Sequence, residues 1–182
     1  VVYPPVATQF FTPDERGGHD GYDLVVSALV PYKRVDLAVQ AYSQTGFPLK
    51  IAGVGTEMDA LRSLAGPNVE FLGRVPDEGI RELYRRCRFL AFPGEEDFGI
   101  VPLEAQACGK PVLAYGKGGL LETVLAGRTG VFFNEQTPAA LIEAVACAEK
   151  LDWDPNAIRA HAESFGEARF LEGLRAEIAA AL

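Results

Sequence analysis

Short apolar runs alternate with amphipathic segments along most of this 182-residue chain. The runs have the length of buried strands, and the segments between them carry apolar residues at helical spacing. The predicted strands are residues 22–29, 48–55, 68–73, 88–94, 110–116 and 129–134, and the predicted helices are 33–44, 56–66, 76–87, 102–109, 120–127 and 137–151. Such strand–helix repeats with short connections predict an α/β fold, a Rossmann-like doubly wound parallel sheet of about six strands with helices on both faces.

The two ends of the chain follow other patterns. Residues 1–21 are rich in proline and glycine, which predicts an extended, turn-rich connection. Residues 22–150 contain the predicted Rossmann-like domain, and residues 151–182 are helical without a strand, so we expect them to pack on it as C-terminal helices. Because the chain opens on valine, we interpret it as a fragment of a two-domain protein, with 1–21 as the interdomain connection.

Three helix starts have a recognisable sequence signal. Thr56 and Thr137 are predicted N-caps, and Pro138 suits the first helical position after Thr137. Pro102 is predicted at the first position of its own helix, which would put Glu104 in the first turn.

Composition excludes several classes of function. The chain is 48% hydrophobic, so it can bury a core, and its net charge of −8 argues against nucleic acid as a partner. The three cysteines follow no metal-ligand spacing, and we expect reduced, mostly buried thiols and no metal site. No apolar run has the length of a membrane span and no signal peptide is present, which favours a cytoplasmic protein.

Ligands of doubly wound sheets bind beyond the carboxyl ends of the strands. The predicted loops at that edge are 31–34, 53–56, 73–77, 94–102, 116–119 and 134–137. In the first loop, Lys33 and Arg34 stand at the start of the predicted helix, where the helix dipole disfavours cations by about 0.3–1 kcal/mol. A bound anion would compensate; the alternative is that both side chains reach solvent, with Asp36 as a local partner.

The fourth loop, in "EEDFGIVPLEA", is rich in acids. Glu96 and Glu104 stand eight positions apart, and either face one polar ligand or are ordinary solvated and dipole-stabilising charges. The backbone amides between them crowd around a helix N-terminus, which can bind an anion or a hydroxyl. These amides belong to Phe98, Gly99, Ile100 and Val101.

Other candidate patterns are weaker. Gly53 and Gly55 are half of a dinucleotide fingerprint, but Met58 holds the place of the third glycine, so tight turning is the alternative and NAD binding is disfavoured. The loop 116–119 offers further amides to a sugar or phosphate. Four arginines are predicted to form a solvated helix face: Arg81, Arg85, Arg86 and Arg88.

Nearly the whole chain resembles a known family. The stretches that carry the resemblance are "VSALVPYKRVDLAVQAY", "LKIAGVGTEMDAL" and "NVEFLGRVPDEGIRELYRRCRFLAFPGEEDFGIVPLEAQACGKPVLAYGKGGLLETVLAGRTGVFF". They are similar to the C-terminal, donor-binding domain of group 1 (family 4) retaining glycosyltransferases of the GT-B fold, and most of all to mannosyltransferase-like proteins of polysaccharide assembly.

The resemblance implies roles for the candidate residues. Glu96 is expected to hydrogen-bond sugar hydroxyls beside the reacting carbon, and Lys33 to stabilise the diphosphate, which makes these two the catalytic candidates. Glu104 is expected to accept bonds from the ribose hydroxyls. The other expected donor-binding residues are Arg34, Gly53, Gly55, Arg74, Val75, Phe98, Gly99, Ile100 and Val101.

The resemblance also implies the reaction and its partners. A retaining hexosyltransferase would move a sugar from a nucleoside-diphosphate sugar, GDP-mannose in our interpretation, to a glycan or lipid-linked acceptor without a metal. We expect the acceptor site in the absent N-terminal domain, peripheral membrane association of the whole protein at the inner face of the membrane, and no transfer by these 182 residues alone.

One departure and two alternatives remain at the level of the sequence. Ser27 and Ala28 stand where many members carry Gly-Arg, which removes one expected phosphate ligand. The alternatives are a related GT-B enzyme, such as a sugar-nucleotide epimerase or a glycogen synthase-like polymerase, and a non-catalytic nucleotide-binding module.

Overall fold

The computed structural model describes residues 2–181 and confirms the predicted fold. Within this range six strands form one parallel sheet in the order β3-β2-β1-β4-β5-β6. The strands are β1 (Asp23–Val26), β2 (Leu49–Ala52), β3 (Val69–Gly73), β4 (Leu90–Phe92), β5 (Val112–Tyr115) and β6 (Gly130–Phe133).

Helices connect the strands and complete the chain. They are α1 (Val35–Thr45), α2 (Met58–Leu64), α3 (Asp77–Arg86), α4 (Ile100–Ala107), α5 (Leu120–Thr123), α6 (Pro138–Ala148), α7 (Pro155–Glu163) and α8 (Glu167–Ala181). A 3₁₀ turn, Pro31–Lys33, precedes α1. The predicted helical C-terminal part is therefore two helices.

Alternate residues of the central strands enter two separate apolar cores. Val25, Ala91 and Leu113 face α1, α2 and α6, whereas their neighbours Leu24 and Leu90 face α3, α4 and α7. Since successive strand side chains point to opposite faces, an uninterrupted apolar run is what a sheet covered on both sides requires.

Two of the predicted helix starts are wrong. α2 begins at Met58 without a side-chain cap, so Thr56 lies in the preceding turn. α4 begins at Ile100, so Pro102 is its third residue rather than its first. The position tolerates proline because the first amides of a helix have no intrahelical acceptor. The third prediction is confirmed, since the Thr137 hydroxyl accepts from the Ala140 amide.

The N-terminal segment 2–21 is fastened to the domain. Val6 pairs with Gly166 between α7 and α8, and Phe11 is buried. Arg85 donates to the carbonyl and hydroxyl of Thr12, and Arg86 to Asp20. The prediction of a solvated arginine face is therefore wrong, because these two side chains form hydrogen bonds with the N-terminal segment.

Arg81 and Arg88 are also engaged. The Arg81 guanidinium lies over the Phe10 ring, and Arg88 pairs with Asp23, a fully buried carboxylate at the start of β1. Cys87 and Cys108 are buried and Cys147 is exposed, all as free thiols. In the part of the chain that the structure describes, no helix has both the length and the apolar character needed to cross a bilayer.

Candidate functional site

The order in which strands are added to the sheet changes direction between β1 and β4, which are neighbouring parallel strands. From β1 the chain proceeds to β2 on one side, and from β4 to β5 on the other, which opens a crevice between the two loops that follow these strands. A cleft of about 420 Å³ occupies this crevice. Its lining comes from the end of β1, its loop, the loop after β4 and the start of α4: Val26, Ser27, Ala28, Tyr32, Lys33, Phe92, Glu96, Asp97, Phe98, Gly99, Ile100 and Val101.

Lys33 and Glu96 form an ion pair across the cleft. The Lys33 ammonium donates to the Glu96 carboxylate, and only about a fifth of either side chain is exposed, 17% and 23%. Burial lowers the pKa of Lys33. Among the described residues that line the cleft, Lys33 is the sole cation, since Ala28 brings none to the neighbouring position.

The start of α4 forms one wall of the cleft. Gly99 precedes the helix with φ 89°, a left-handed conformation that glycine adopts without strain. The first helical amides, of Ile100 and Val101, have no intrahelical acceptor and can donate to an anion or hydroxyl. The Thr123 hydroxyl lies 3.2 Å from the carbonyl oxygens of both Phe98 and Gly119, and its one proton is shared between them at this turn.

The loop 116–119 holds the acid-rich segment in place. The Gly119 amide donates to the Glu96 carbonyl at 2.7 Å, and a Cβ on Gly118 would lie 2.4 Å from the same oxygen. The amide of Gly119 is therefore not free for a ligand, contrary to the sequence-based expectation for loop 116–119. These glycines permit close approach of two backbones, and they leave the Glu96 side chain inside while Glu95 and Asp97 are exposed.

Glu104 lies farther along α4, in its second turn rather than its first. Its carboxylate accepts from the hydroxyl of buried Tyr84 on α3 at 2.9 Å. Burial raises the pKa of Glu104 from 4.5 to about 7, with a smaller contribution from Asp77 and an opposing one from the Tyr84 hydrogen bond. Glu104 therefore titrates near neutral pH.

Gly53 and Gly55 follow β2 and touch the neighbouring loop. A Cβ on Gly53 would lie 1.8 Å from the Ser27 carbonyl oxygen, and one on Gly55 2.2 Å from that of Leu29. Close backbone approach between the β1 and β2 loops accounts for both glycines. Arg74 and Val75 follow β3 beyond them, so the loops after β3, β2, β1 and β4 share one edge of the sheet.

Arg34 does not line the cleft that contains the Lys33–Glu96 pair. Its guanidinium donates to Asp36 at 3.1 Å and to Gln136 at 3.3 Å. Asp36 is thus the local partner that the sequence offered as an alternative. The structure therefore gathers six of the twelve candidates in the cleft, namely Lys33, Glu96, Phe98, Gly99, Ile100 and Val101.

Sequence reasoning missed three residues around the site. Tyr84 and Gln136 are bonded to candidates that lie far away in sequence, and only the fold brings them together. Tyr32, 64% exposed, has its ring 5.1 Å from the Lys33 ammonium. The signals available were the positions of Tyr32 and Gln136 inside the predicted loops 31–34 and 134–137. No group of three or more His, Cys, Asp or Glu within residues 2–181 could hold a metal ion.

A protein-family comparison matches most of the chain. The model described as "Glycosyl transferases group 1" matches residues 14–165. An uncharacterized glycosyltransferase of Methanocaldococcus jannaschii is 34% identical over 133 residues, which are 70% of this chain and 38% of that protein. The α-1,3/1,6-mannosyltransferase alg-2 of Neurospora crassa is 40% identical over 127 residues, 65% of this chain and 26% of that protein.

Solved structures share the fold. Anabaena HepE, crystallised with UDP-glucose, superimposes with a TM-score of 0.81 at 22% identity, over 100% of this chain and 57% of the HepE chain. At this identity the similarity establishes the fold alone. The chain spans well under half of each of these two curated relatives and slightly more than half of HepE.

Proposed function

Because the chain belongs to the group 1 glycosyltransferases, we propose that its cleft binds the nucleoside-diphosphate sugar from which the whole protein transfers a sugar with retention of configuration. The observation that carries this proposal is the Lys33–Glu96 pair, held across a crevice at the switch point of the sheet, beside a helix N-terminus.

Each member of the pair suits one part of such a donor. The Lys33 ammonium can neutralise the diphosphate, and its charge stabilises the negative charge that develops on the leaving group. The Glu96 carboxylate can accept bonds from sugar hydroxyls, while the amides at the start of α4 donate to the sugar or the distal phosphate. Donor binding then replaces the direct bond between Lys33 and Glu96 by a bond from each to the ligand.

The remaining candidates are assigned to the nucleoside. We assign Glu104 to the ribose hydroxyls, because an ionised carboxylate accepts two such bonds. The main chain of Arg74 and Val75 would contact the base, with Gly53 and Gly55 beside the nucleotide. Arg34 would assist Lys33 only after leaving Asp36 and Gln136.

For the donor we propose GDP-mannose. Support comes from the similarity to alg-2, which is named a mannosyltransferase, whereas the more distant HepE was crystallised with UDP-glucose. We place the acceptor, a glycan or lipid-linked sugar, on a separate N-terminal domain joined through residues 1–21, with residues 22–150 as the donor domain and 151–182 as its C-terminal helices. The proposed location is the cytoplasm, with peripheral attachment to the inner face of the membrane.

Calorimetric titration of the chain with GDP, UDP and ADP tests the proposal. We expect one nucleotide to bind preferentially. Lys33→Ala and Glu104→Ala should each lower the affinity for that nucleotide at least about tenfold, the effect of one lost charged or bidentate contact. The matched controls are Lys150→Ala and Glu143→Ala, which remove the same charges from exposed positions. Glu143 lies on α6, and Lys150 lies just after the end of that helix.

Two results would contradict the proposal. One is the absence of binding by all three nucleotides at millimolar concentration. The other is binding that Lys33→Ala leaves at the wild-type affinity. Preference for UDP over GDP would retain the site but overturn GDP-mannose as the donor.

A further inference from the structure

Gln136, in the loop between β6 and α6, joins the two loops that carry the ion pair. Its side-chain Nε2 donates to the Pro93 carbonyl at 3.0 Å, and its Oε1 accepts from Arg34 Nη1 at 3.3 Å. We propose that Gln136 is a positioning residue that fixes the separation of Lys33 and Glu96. The proposal rests on the donor-binding function given above.

The orientation of the Gln136 amide follows from its partners. A guanidinium can only donate and a carbonyl can only accept, so the amide oxygen must face Arg34 and the nitrogen Pro93. Reversing the amide would lose both bonds. A glutamine supplies both groups, whereas a carboxylate has no donor for Pro93 and an apolar side chain has neither group.

Both contacts lie close in sequence to the ion pair. Arg34 directly follows Lys33, and Pro93 begins the loop 93–99 that contains Glu96. A Cβ on Gly94 would lie 3.0 Å from the Lys33 main chain, so the two loops already touch at their base. Gln136 adds a second connection between them, and two connections restrict the rotation that one alone would permit.

The bond to Gln136 also stabilises an unusual backbone. Arg34 has φ 51°, the single non-glycine residue with positive φ in the described part of the chain. Left-handed backbone is unfavourable for such a residue, so its side-chain bonds to Asp36 and Gln136 help to maintain the turn that presents Lys33. Losing the Gln136 bond would leave the Arg34 side chain with Asp36 as its partner, while the backbone bonds from Lys33 to Val30 and from Arg34 to Pro31 remain.

Two substitutions separate the two bonds. Gln136→Met keeps the length of the side chain and removes both, whereas Gln136→Glu retains an acceptor for Arg34 and loses the donor to Pro93. The control is Glu135→Gln, a neighbouring exposed residue. Amide hydrogen exchange is measured for residues 31–36 and 93–99, together with GDP and UDP titration and urea unfolding.

We expect Gln136→Met to lower the affinity for the preferred nucleotide about tenfold and to speed exchange in both loops, with a modest fall in the urea midpoint from the two lost hydrogen bonds. Gln136→Glu should speed exchange only in 93–99. In the Lys33→Ala background, Gln136→Met should lower the nucleotide affinity less than tenfold, because the effect of a residue that acts through Lys33 depends on the presence of Lys33. A purely structural role would give additive effects.

Other outcomes overturn the inference or its premise separately. Wild-type exchange in both loops of Gln136→Met would exclude positioning, whatever the nucleotide result. Faster exchange with unchanged nucleotide affinity would show that the separation of the loops does not matter for the ligand. If the wild-type chain binds neither GDP nor UDP, the donor-binding function fails, while the exchange comparison still decides whether Gln136 holds the loops.

Discussion

Glu104 shows how the environment of one residue sets its chemistry. The sequence placed it in a first helical turn, where a carboxylate is stabilised by the helix dipole. In the structure it lies in the second turn, largely buried beside Tyr84, and its pKa is raised to about 7. The Glu104 carboxylate, which we propose to bind the ribose hydroxyls, thus lies at a position where burial makes its ionisation costly.

This burial predicts a pH dependence of stability. Because the pKa of folded Glu104 exceeds its ordinary value of 4.5, the folded chain holds the proton longer than the unfolded chain. The stability that Glu104 contributes is full below about pH 4.5 and is lost as pH rises to about 7. Glu104→Gln should therefore gain up to about 3 kcal/mol over wild type between pH 5 and pH 8.

Urea unfolding at the two pH values measures this gain. Glu143→Gln, on the exposed face of α6, is the control and should show no comparable difference. If the difference in unfolding free energy between Glu104→Gln and wild type stays constant with pH, the pKa of Glu104 is not raised. In the proposed ribose role a neutral amide would accept weaker hydrogen bonds than a carboxylate, so we expect the more stable variant to bind the nucleotide less tightly.

The sequence predicted the candidate residues of the cleft better than the residues that hydrogen-bond to the candidates. Lys33 and Glu96 belong to loops whose place follows from the order of strands and helices, and the structure brings them together. Tyr84 and Gln136 could not be predicted, because a tyrosine or glutamine has many roles and its partner is set by tertiary contacts. Arg34 failed to reach the cleft for the same reason.

At the scale of elements, close contacts between loops explain several glycines. The glycines after β2 were compatible with a dinucleotide fingerprint, a tight turn or both. The structure shows instead that Gly53, with φ 148°, lies against the β1 loop without room for a Cβ. The sequence placed the start of α4 at Pro102, because proline is a strong sequence signal for a first helical residue. The left-handed backbone of Gly99, after which the helix begins, is a weak signal in the sequence.

A pair of glycine variants tests this explanation. Gly53→Ala should lose about 3 kcal/mol or more of unfolding free energy, because its Cβ would overlap the Ser27 carbonyl. Gly21→Ala has a comparably unfavourable backbone, φ 80°, but open space around it, and should lose only about 1–2 kcal/mol. Equal losses in urea unfolding would mean that backbone conformation alone requires these glycines.

At the scale of the whole molecule, the N-terminal segment belongs to the folded unit. Its proline-rich sequence predicted an extended connection, and its backbone is indeed largely irregular. What the local pattern could not show is that Phe11 packs against Tyr84, and Tyr3 against Phe98 in the cleft wall. The order of strands and helices followed from periodicity, whereas these contacts depend on residues more than seventy positions apart.

Phe11 provides the test at this scale. Phe11→Ala should lose about 3–5 kcal/mol of unfolding free energy, the usual effect of removing a buried aromatic ring. Phe10→Ala, which removes a partly exposed ring, should lose clearly less. Urea unfolding of both variants makes the comparison, and a loss below about 1 kcal/mol for Phe11→Ala would mean that the segment is only loosely attached.

The bridge between Val6 and Gly166 brings the two ends of the described chain together. Val2 lies close to Gly173 within α8, and the remaining eight residues of that helix, up to Ala181, extend about 12 Å. A linker of about five extended residues therefore suffices to join residue 181 to residue 2. The chain can then be opened at Gly17–Gly18, an exposed loop, to give a circular permutant with every strand in its present place.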